Sequence, residues 1–211
     1  MSRDMDVSPI GKIYSQTSQG NSEDVYNDWA QSYDADNAAL GFRLPGLASA
    51  FAARHIAPDA EPILDAGAGT GQVGSALKVL GYRNVIGCDI SEQMLAVAAC
   101  TNAYTQLRCQ VLGERLEFSD NTFAGVLCIG SFGPGHAPPD TLDELVRVAC
   151  PGSPVIFNLR EDTWKAQGFE TRMREISNAK LWTLLEEQGP FRPYIIGEPE
   201  LLTRVFVFRV N

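Results

Sequence analysis

The chain has 211 residues, enough for a single domain with a substantial hydrophobic core. Its 45% of hydrophobic and 20% of charged residues are typical of a globular protein, and no apolar stretch approaches the roughly 20 residues that span a bilayer. The net charge is −9, and lysine and arginine are scattered singly. We therefore expect neither a nucleic-acid partner, which needs a basic surface, nor a membrane partner.

The beginning of the chain predicts a polar tail over residues 1–22, followed by one domain over residues 23–211. The first residues lack the apolar segment of a secretory signal. The cysteines are odd in number and share no C-x-x-C spacing; they are Cys88, Cys100, Cys109, Cys128 and Cys150. This pattern favours a cytoplasmic protein with buried, unreactive thiols.

Two amphipathic helices are predicted over residues 23–57, as a cap on the remaining core of residues 61–211. Ser22 is the predicted N-cap of the first helix, because a serine oxygen there can accept from a first-turn amide. The apolar positions of this helix are Val25, Tyr26, Trp29 and Tyr33; those of the second helix, which follows Pro45, are Leu47, Phe51 and Ile56.

From residue 61 onwards, apolar strands alternate with helical segments. The predicted strands cover about 62–66, 84–89, 104–112, 123–130 and 154–159, with helices over 71–81, after Ser91, over 140–149 and around 169–176. Two further strands are predicted at 181–187 and 202–210. Such alternation followed by a strand pair indicates an α/β fold, with a parallel sheet and an antiparallel edge.

The most informative motif joins the first predicted strand to its helix. Asp65 is followed by the alternating glycines Gly67, Gly69 and Gly71, and Asp89 ends the second strand eighteen residues later. Glycine permits positive φ and lets a ligand lie against main-chain amides, while the second acid can accept from ribose hydroxyls. The pattern predicts a nucleoside site at the carboxyl ends of the first two strands.

The glycine spacing bears on which nucleoside binds. Gly69, Gly71 and Gly74 could be fitted to the dinucleotide fingerprint G-x-G-x-x-G. That alignment leaves Asp65 and Gly67 without a role and sets an acid where a pyrophosphate would be repelled. An acid at the strand end suits a cationic ligand better, with a nicotinamide or flavin enzyme as the alternative.

This acid–glycine loop with its second acid resembles the class I S-adenosylmethionine-dependent methyltransferases. Residues 26–34, 114–123 and 148–153 also resemble recurrent segments of that family, and residues 41–45 resemble the Williams–Beuren-type methyltransferase-like proteins. The resemblance spans about residues 24–210. It implies one Rossmann-like, seven-stranded, mostly parallel sheet of order 3-2-1-4-5-7-6, with strand 7 antiparallel, helices on both faces, and S-adenosyl-L-methionine as the cofactor.

The resemblance places the glycine loop and Asp65 by the methionine part of the cofactor and Asp89 on its ribose. The candidate cofactor residues are Asp65, Gly67, Ala68, Gly69, Gly71, Asp89, Ile90, Gly113, Glu114 and Ser131, with Tyr26 and Tyr33 as an aromatic lid. The alternatives are an Asp65 that only satisfies its own loop, an Asp89 that only caps a helix, and aromatic residues that are core. Leu112 replaces the acid that usually contacts adenine, so Gly113 main chain or Glu114 would have to serve instead.

On the acceptor side, the candidate catalytic residues are His136 and Tyr33. A histidine after the fourth strand could take the acceptor proton near neutral pH, the alternative being an ordinary loop histidine. The candidate substrate contacts are Arg160, Glu161, Trp164 and Tyr194, against a surface ion pair for the first two and simple packing for the others. No metal set is expected.

These features together predict a cytoplasmic methyltransferase, monomeric or homodimeric, that methylates a small-molecule acceptor at O, N, S or C. A cofactor-binding protein of the same fold that transfers no methyl group, such as a cyclase or a regulatory partner, is the alternative that Leu112 favours. A nicotinamide oxidoreductase is the third possibility.

Overall fold

A computed structural model describes residues 22–197 and 201–211. Their strands form one seven-stranded sheet in the order β3-β2-β1-β4-β5-β7-β6. The strands are β1 Ile63–Ala66, β2 Val85–Asp89, β3 Gln106–Cys109, β4 Gly125–Cys128, β5 Pro154–Arg160, β6 Trp182–Phe191 and β7 Thr203–Val210. The helices are α1 Ser22–Trp29, α2 Tyr33–Ala39, α3 Leu44–His55, α4 Gln72–Val79, α5 Glu92–Cys100, α6 Thr141–Val148, α7 Glu161–Ala166 and α8 Phe169–Asn178. The predicted tail, except for Ser22, lies outside the described residues.

The pairing of the strands confirms the predicted fold class. The first five strands pair in parallel, and β7 runs antiparallel to both β5 and β6. Successive side chains of β1 enter different cores: Ile63 packs with Phe51 and Leu77 of α3 and α4, and Leu64 with the cluster that includes α6 and α8. Because both faces are covered, the central strands are buried and almost wholly apolar.

The N-terminal region differs from its prediction. The chain turns after Trp29, so Tyr33 begins a second helix instead of extending the first. Ser22 is the first residue of α1, and its hydroxyl donates to the carbonyl of Gly135 instead of capping the helix. The predicted cap at Ser91 is confirmed, since its side chain accepts from the amide of Met94 at 3.1 Å.

Two strands and part of the cysteine set also depart from expectation. β3 is shorter than predicted, and β6 continues to Phe191 through two irregularities in its pairing with β7. Cys88 and Cys128 are buried, as expected, but Cys100 and Cys109 are exposed.

Within residues 22–197 and 201–211, no helix is long and apolar enough to cross a membrane.

Candidate functional site

The glycine loop after β1 is held against the end of β2. The amides of Gly67 and Ala68 both donate to the carbonyl of Cys88, at 2.8 and 2.9 Å. Gly67 has φ +78°, a left-handed conformation that favours glycine, and a Cβ there would lie 1.9 Å from the hydroxyl oxygen of Ser131. The loop therefore leaves no room for a side chain where the ends of β1 and β4 converge.

Asp89, at the end of β2, links this loop to the following helix. One carboxylate oxygen accepts from the amide of Gly69 at 2.8 Å, and the other accepts from the amide of Ser91 at 3.0 Å. Burial raises the pKa of Asp89, and the backbone donors oppose that shift because they favour the ionised form. The side chain also faces a cavity, so its loop-satisfying role and a ligand-binding role are compatible.

A cavity of about 640 Å³ lies over the loop, a size typical of small-ligand sites. Most of the predicted cofactor residues line it: Tyr26, Tyr33, Gly67, Gly69, Asp89, Ile90, Gly113, Glu114 and Ser131. Ala68 and Gly71 do not line the cavity: the amide of Ala68 donates to the carbonyl of Cys88 in β2, and Gly71 is the N-cap residue of α4. We call this space the larger cavity.

The larger cavity is acidic. Its described lining includes the carboxylates of Glu23, Asp24, Asp89 and Glu114, which we call the acidic lining, and contains no lysine or arginine. Negative charge in a partly enclosed space attracts cations and repels anions. The cavity thus suits a positively charged nucleoside and opposes the pyrophosphate of a dinucleotide.

Of the four carboxylates in this acidic lining, the sequence predicts only Asp89 and Glu114 as ligand-binding residues. Nothing in the sequence around Glu23 and Asp24 of α1 points to a ligand. Asn27 of the same helix accepts from the hydroxyl of Ser91 at 2.6 Å, and this contact helps to dock α1 across the cavity. Their place at the cavity therefore depends on a contact between distant parts of the chain, which the local sequence does not reveal. Other residues missed in the lining are Met94, Val111, Ile129, Gly130, Gly135, Ala137 and Pro138.

Asp65 lies beneath the loop and not among the cavity-lining residues. Its side chain is fully buried; one oxygen accepts from the hydroxyl of Tyr104 at 2.7 Å, while the other has no hydrogen-bond partner among the described residues. Burial raises the pKa of Asp65 from its ordinary value of 3.8 to about 7, against the opposing effect of the Tyr104 hydrogen bond. The Asp65 carboxyl therefore binds Tyr104 and is not part of the cavity lining.

Tyr104 explains why Gly74 stands in the helix that follows the loop. A Cβ at Gly74 would lie 2.3 Å from the phenol ring, and Cβ atoms at Gly71 and Gly87 would lie 3.1 and 2.9 Å from it. The hydroxyl also accepts from the amide of Gly74 at 3.2 Å. Gly74 therefore makes room for a side chain and need not belong to a dinucleotide fingerprint.

His136 is held between a backbone carbonyl and Tyr26. Its Nδ1 lies 2.8 Å from the carbonyl oxygen of Pro134, which can only accept, so Nδ1 carries a proton. In the neutral ring Nε2 is then an acceptor, and it lies 2.7 Å from the hydroxyl of Tyr26. Burial lowers the pKa of His136, which favours this neutral form at pH 7.

A second, smaller cavity of about 40 Å³ lies beside the first. Its described lining contains Tyr26, Trp29, Tyr33, Phe42, Leu44, Gly130, Phe132, Gly133, His136, Asn158, Arg160, Pro193, Tyr194 and Leu201. Of the predicted substrate contacts, Arg160 and Tyr194 therefore lie at this cavity. Arg160 also forms an ion pair with Asp162 at 2.6 Å.

The other two predicted substrate contacts lie elsewhere. Glu161 pairs with Arg204, a residue of β7. Trp164 packs edge-on against Phe206, with 5.1 Å between ring centroids, and under the guanidinium of Arg204. Trp164 therefore serves packing, because α7 turns this side chain towards the sheet and away from either cavity.

The residues at the larger cavity fit S-adenosylmethionine. The glycine loop excludes side chains where main chain must meet a ligand, Asp89 offers carboxylate oxygens, and Ile90, Met94 and Leu112 offer apolar surface for a base. The acidic lining suits a sulfonium. Among the described residues, no cluster of three or more His, Cys, Asp or Glu could hold a metal ion.

Comparison with known proteins agrees with this geometry. A family model described as a methyltransferase domain matches residues 63–152. The human methyltransferase-like protein 27 is 32% identical over 163 residues, which cover 74% of this chain and 66% of that protein, just under two thirds. The 2-phytyl-1,4-naphtoquinone methyltransferase of Synechocystis sp. is 30% identical over 196 residues, covering 86% of this chain and 82% of the relative.

Solved structures agree on the fold. The crystal structure of a TehB-like SAM-dependent methyltransferase from Corynebacterium glutamicum superposes with a TM-score of 0.64 and 18% identity, covering 88% of this chain and 98% of that one. At this identity the likeness concerns the fold alone.

Proposed function

Because the chain belongs to the class I S-adenosylmethionine-dependent methyltransferases, we propose that it transfers the cofactor's methyl group to a small-molecule acceptor. The observation that carries the proposal is the acidic lining around a glycine cradle, which suits a sulfonium nucleoside. The Synechocystis relative, whose name specifies a quinone, supports a small acceptor. The unpaired state of all five thiols is compatible with a cytoplasmic setting.

In this proposal each part of the larger cavity has one task. Asp89 holds the ribose hydroxyls, the main chain of Gly67 and Gly69 lies along the nucleoside, and Ile90 and Leu112 enclose the base. S-adenosylmethionine supplies an activated methyl group on a positively charged sulfur. The chain's own contribution is alignment of an acceptor with that methyl group and exclusion of water, which together account for much of the acceleration of such displacements.

We also propose a division of labour along the chain. Residues 61–211 form the core that presents the glycine loop, and residues 23–57 form a cap that contributes Glu23, Asp24 and the aromatic side chains to the site. The contacts that support this division are the Asn27–Ser91 hydrogen bond at 2.6 Å and the Tyr26–His136 contact at 2.7 Å.

Calorimetry tests the cofactor assignment. We expect S-adenosylhomocysteine to bind and NADH not to bind. Asp89→Ala should weaken nucleoside binding by at least about tenfold, since hydrogen bonds to a charged group are worth about 1.5–3 kcal/mol each. Asp59→Ala, at an exposed loop carboxylate, is the matched control and should bind like the parent. Equal binding by the Asp89 variant, or binding of NADH in place of the nucleoside, would contradict the assignment.

Product analysis tests the transfer itself. The purified protein is incubated with isotopically labelled S-adenosylmethionine and a host small-molecule extract, and the products are examined by mass spectrometry. We expect a labelled small molecule that has gained one methyl group in place of hydrogen. Nucleoside binding without any methylated product would instead favour the non-methylating alternative, a cyclase or a regulatory partner.

A further inference from the structure

We propose that Asp65 distinguishes the sulfonium cofactor from the product S-adenosylhomocysteine: the buried carboxyl gives up a proton when the sulfonium binds and takes one back after methyl transfer. This inference rests on the proposed function and deepens it, because it gives a task to an acid that lies outside the cavity lining. Asp65 acts through its charge, without touching the nucleoside, and is therefore not a catalytic residue.

The two acids of the loop motif differ in their hydrogen bonds. Asp89 accepts from two backbone amides, at 2.8 and 3.0 Å. Asp65 is fully buried; its Oδ2 accepts from the hydroxyl of Tyr104 at 2.7 Å, and its Oδ1 has no hydrogen-bond partner among the described residues. A buried carboxylate with a single donor is costly, so in the free protein the Asp65 carboxyl carries a proton up to about pH 7.

Asp65 is within reach of charge in the larger cavity. It is followed in the chain by Ala66, the last residue of β1, and by Gly67, which lines the cavity. The negative charge of Asp89, which also lines the cavity, raises the pKa of Asp65. A positive charge bound against the same loop must lower this pKa, because the Coulomb interaction changes sign with the charge.

The other titratable groups around Asp65 keep their protons near neutral pH. They are Tyr104, which precedes β3, Cys88 of β2 and Cys128 of β4. Burial raises the pKa of all three side chains, that of Cys88 to about 12. The helix α4 contributes only the backbone amide of Gly74. Asp65 is therefore the group in this cluster that can respond to a bound cation between pH 5 and pH 8.

The expected response is about one pH unit. Opposite charges about 10 Å apart, at the effective dielectric constant of about 20 found for proteins, change a pKa by about that amount. The pKa of Asp65 is about 7 in the free protein, and the bound sulfonium lowers it. At pH 6.5 the ionised fraction of Asp65 then rises from about one quarter to about three quarters, so that about half a proton leaves for each nucleoside bound.

This coupling favours the exchange of product for cofactor. The acceptor atom forms a bond to the methyl carbon as the carbon–sulfur bond breaks, and the sulfur keeps that electron pair and loses its positive charge. The Asp65 carboxylate then takes a proton from solvent, which restores the free state. Because the cation favours the ionised acid, its binding is stronger above pH 7 than below pH 6, whereas the uncharged sulfur of the product favours neither state.

Calorimetry counts these protons. The protein is titrated at pH 6.5 with S-adenosylmethionine and, separately, with S-adenosylhomocysteine, each in two buffers with different enthalpies of ionisation. The ligands differ only in one methyl group and the charge on sulfur, so their difference in proton release isolates the sulfonium. We expect the parent to release about half a proton more with S-adenosylmethionine. The ratio of the two affinities should also rise about eightfold from pH 5 to pH 8, in favour of the sulfonium.

Two substitutions test whether Asp65 is the responding group. Asp65→Asn, which cannot ionise, should bind both nucleosides with equal proton release. Tyr104→Phe removes a donor that favours ionised Asp65, so the pH of greatest difference, near 6.5 in the parent, should move upwards by at least about half a unit. Asp59→Asn, at an exposed loop carboxylate, is the matched control and should behave like the parent.

Each outcome separates the inference from the function on which it rests. Equal proton release with the two nucleosides in the parent overturns the inference while nucleoside binding stands. A difference that persists in Asp65→Asn does the same, because another group then responds. Should Asp65→Asn fail to bind, Tyr104→Phe decides: an unmoved pH optimum overturns the inference, and the upward move supports it. Failure of the parent to bind either nucleoside overturns the proposed function, and the inference with it.

Discussion

Asp65 makes the fold sensitive to pH in a direction opposite to that of most carboxylates. The native chain keeps a proton on this buried acid up to about pH 7, whereas an unfolded chain releases it near 3.8. Between these values unfolding releases a proton, so the free energy of unfolding falls by about 1.4 kcal/mol per pH unit. The gap from 3.8 to about 7 corresponds to a loss of about 4 kcal/mol that is complete above pH 7.

Asp65→Asn removes that loss while it keeps an oxygen that can accept from Tyr104. Below pH 4 the parent carries a protonated, uncharged Asp65, so the two proteins should have similar stability. The variant's advantage should then grow with pH, to about 4 kcal/mol at pH 8. The advantage comes wholly from the ionisation that burial opposes.

Urea denaturation at half-unit intervals from pH 4 to pH 8 measures this difference. Asp59→Asn, at an exposed loop position, is the matched control and should stay within about 0.5 kcal/mol of the parent throughout. An Asp65 variant whose advantage does not increase with pH, or which is less stable than the parent at pH 8, would show that Asp65 is ionised in the native protein and refute the reasoning.

Two other substitutions probe the loop and the base pocket. Gly74→Ala places a Cβ 2.3 Å from the ring of Tyr104, so thermal unfolding should show a loss of about 1–3 kcal/mol. Gly46→Ala, in open space on α3, should instead raise the free energy of unfolding by up to about 1 kcal/mol. Equal effects of the two substitutions would contradict the conclusion that Gly74 makes room for the ring of Tyr104. Leu112→Asp should raise the preference for S-adenosylhomocysteine over its inosine analogue by about tenfold, since a carboxylate accepts from an adenine amine. An unchanged ratio in competition calorimetry would place the base away from residue 112.

Local patterns in the sequence predicted the central part of the fold and the nucleoside side of the site. The alternation of apolar strands and helices is local, and it predicts an α/β fold with a parallel sheet and an antiparallel edge. The strand order, which the family resemblance implies, is the observed one. The glycine spacing and Asp89 depend on turn chemistry over a few residues, and they indeed lie together at the ends of β1 and β2. Such features require no knowledge of distant contacts.

Contacts between distant parts of the chain were not predictable in this way. The partner of Asp65 is Tyr104, 39 residues away, and the partner of His136 is Tyr26, 110 residues away. Only the docking of α1 brings Glu23 to the larger cavity. Trp164 is predicted from the sequence as a substrate contact, but the direction of its side chain depends on how α7 packs on β7.

The central claim is that the glycine cradle and the acidic lining hold a sulfonium nucleoside. A crystal structure of the protein soaked with S-adenosylmethionine tests it most directly. We predict that both ribose hydroxyls lie within hydrogen-bonding distance of the Asp89 carboxylate, with the base against Ile90 and Leu112. A cradle without the nucleoside in those crystals, or a parallel NADH soak that places a pyrophosphate against Gly67 and Gly69, would contradict it.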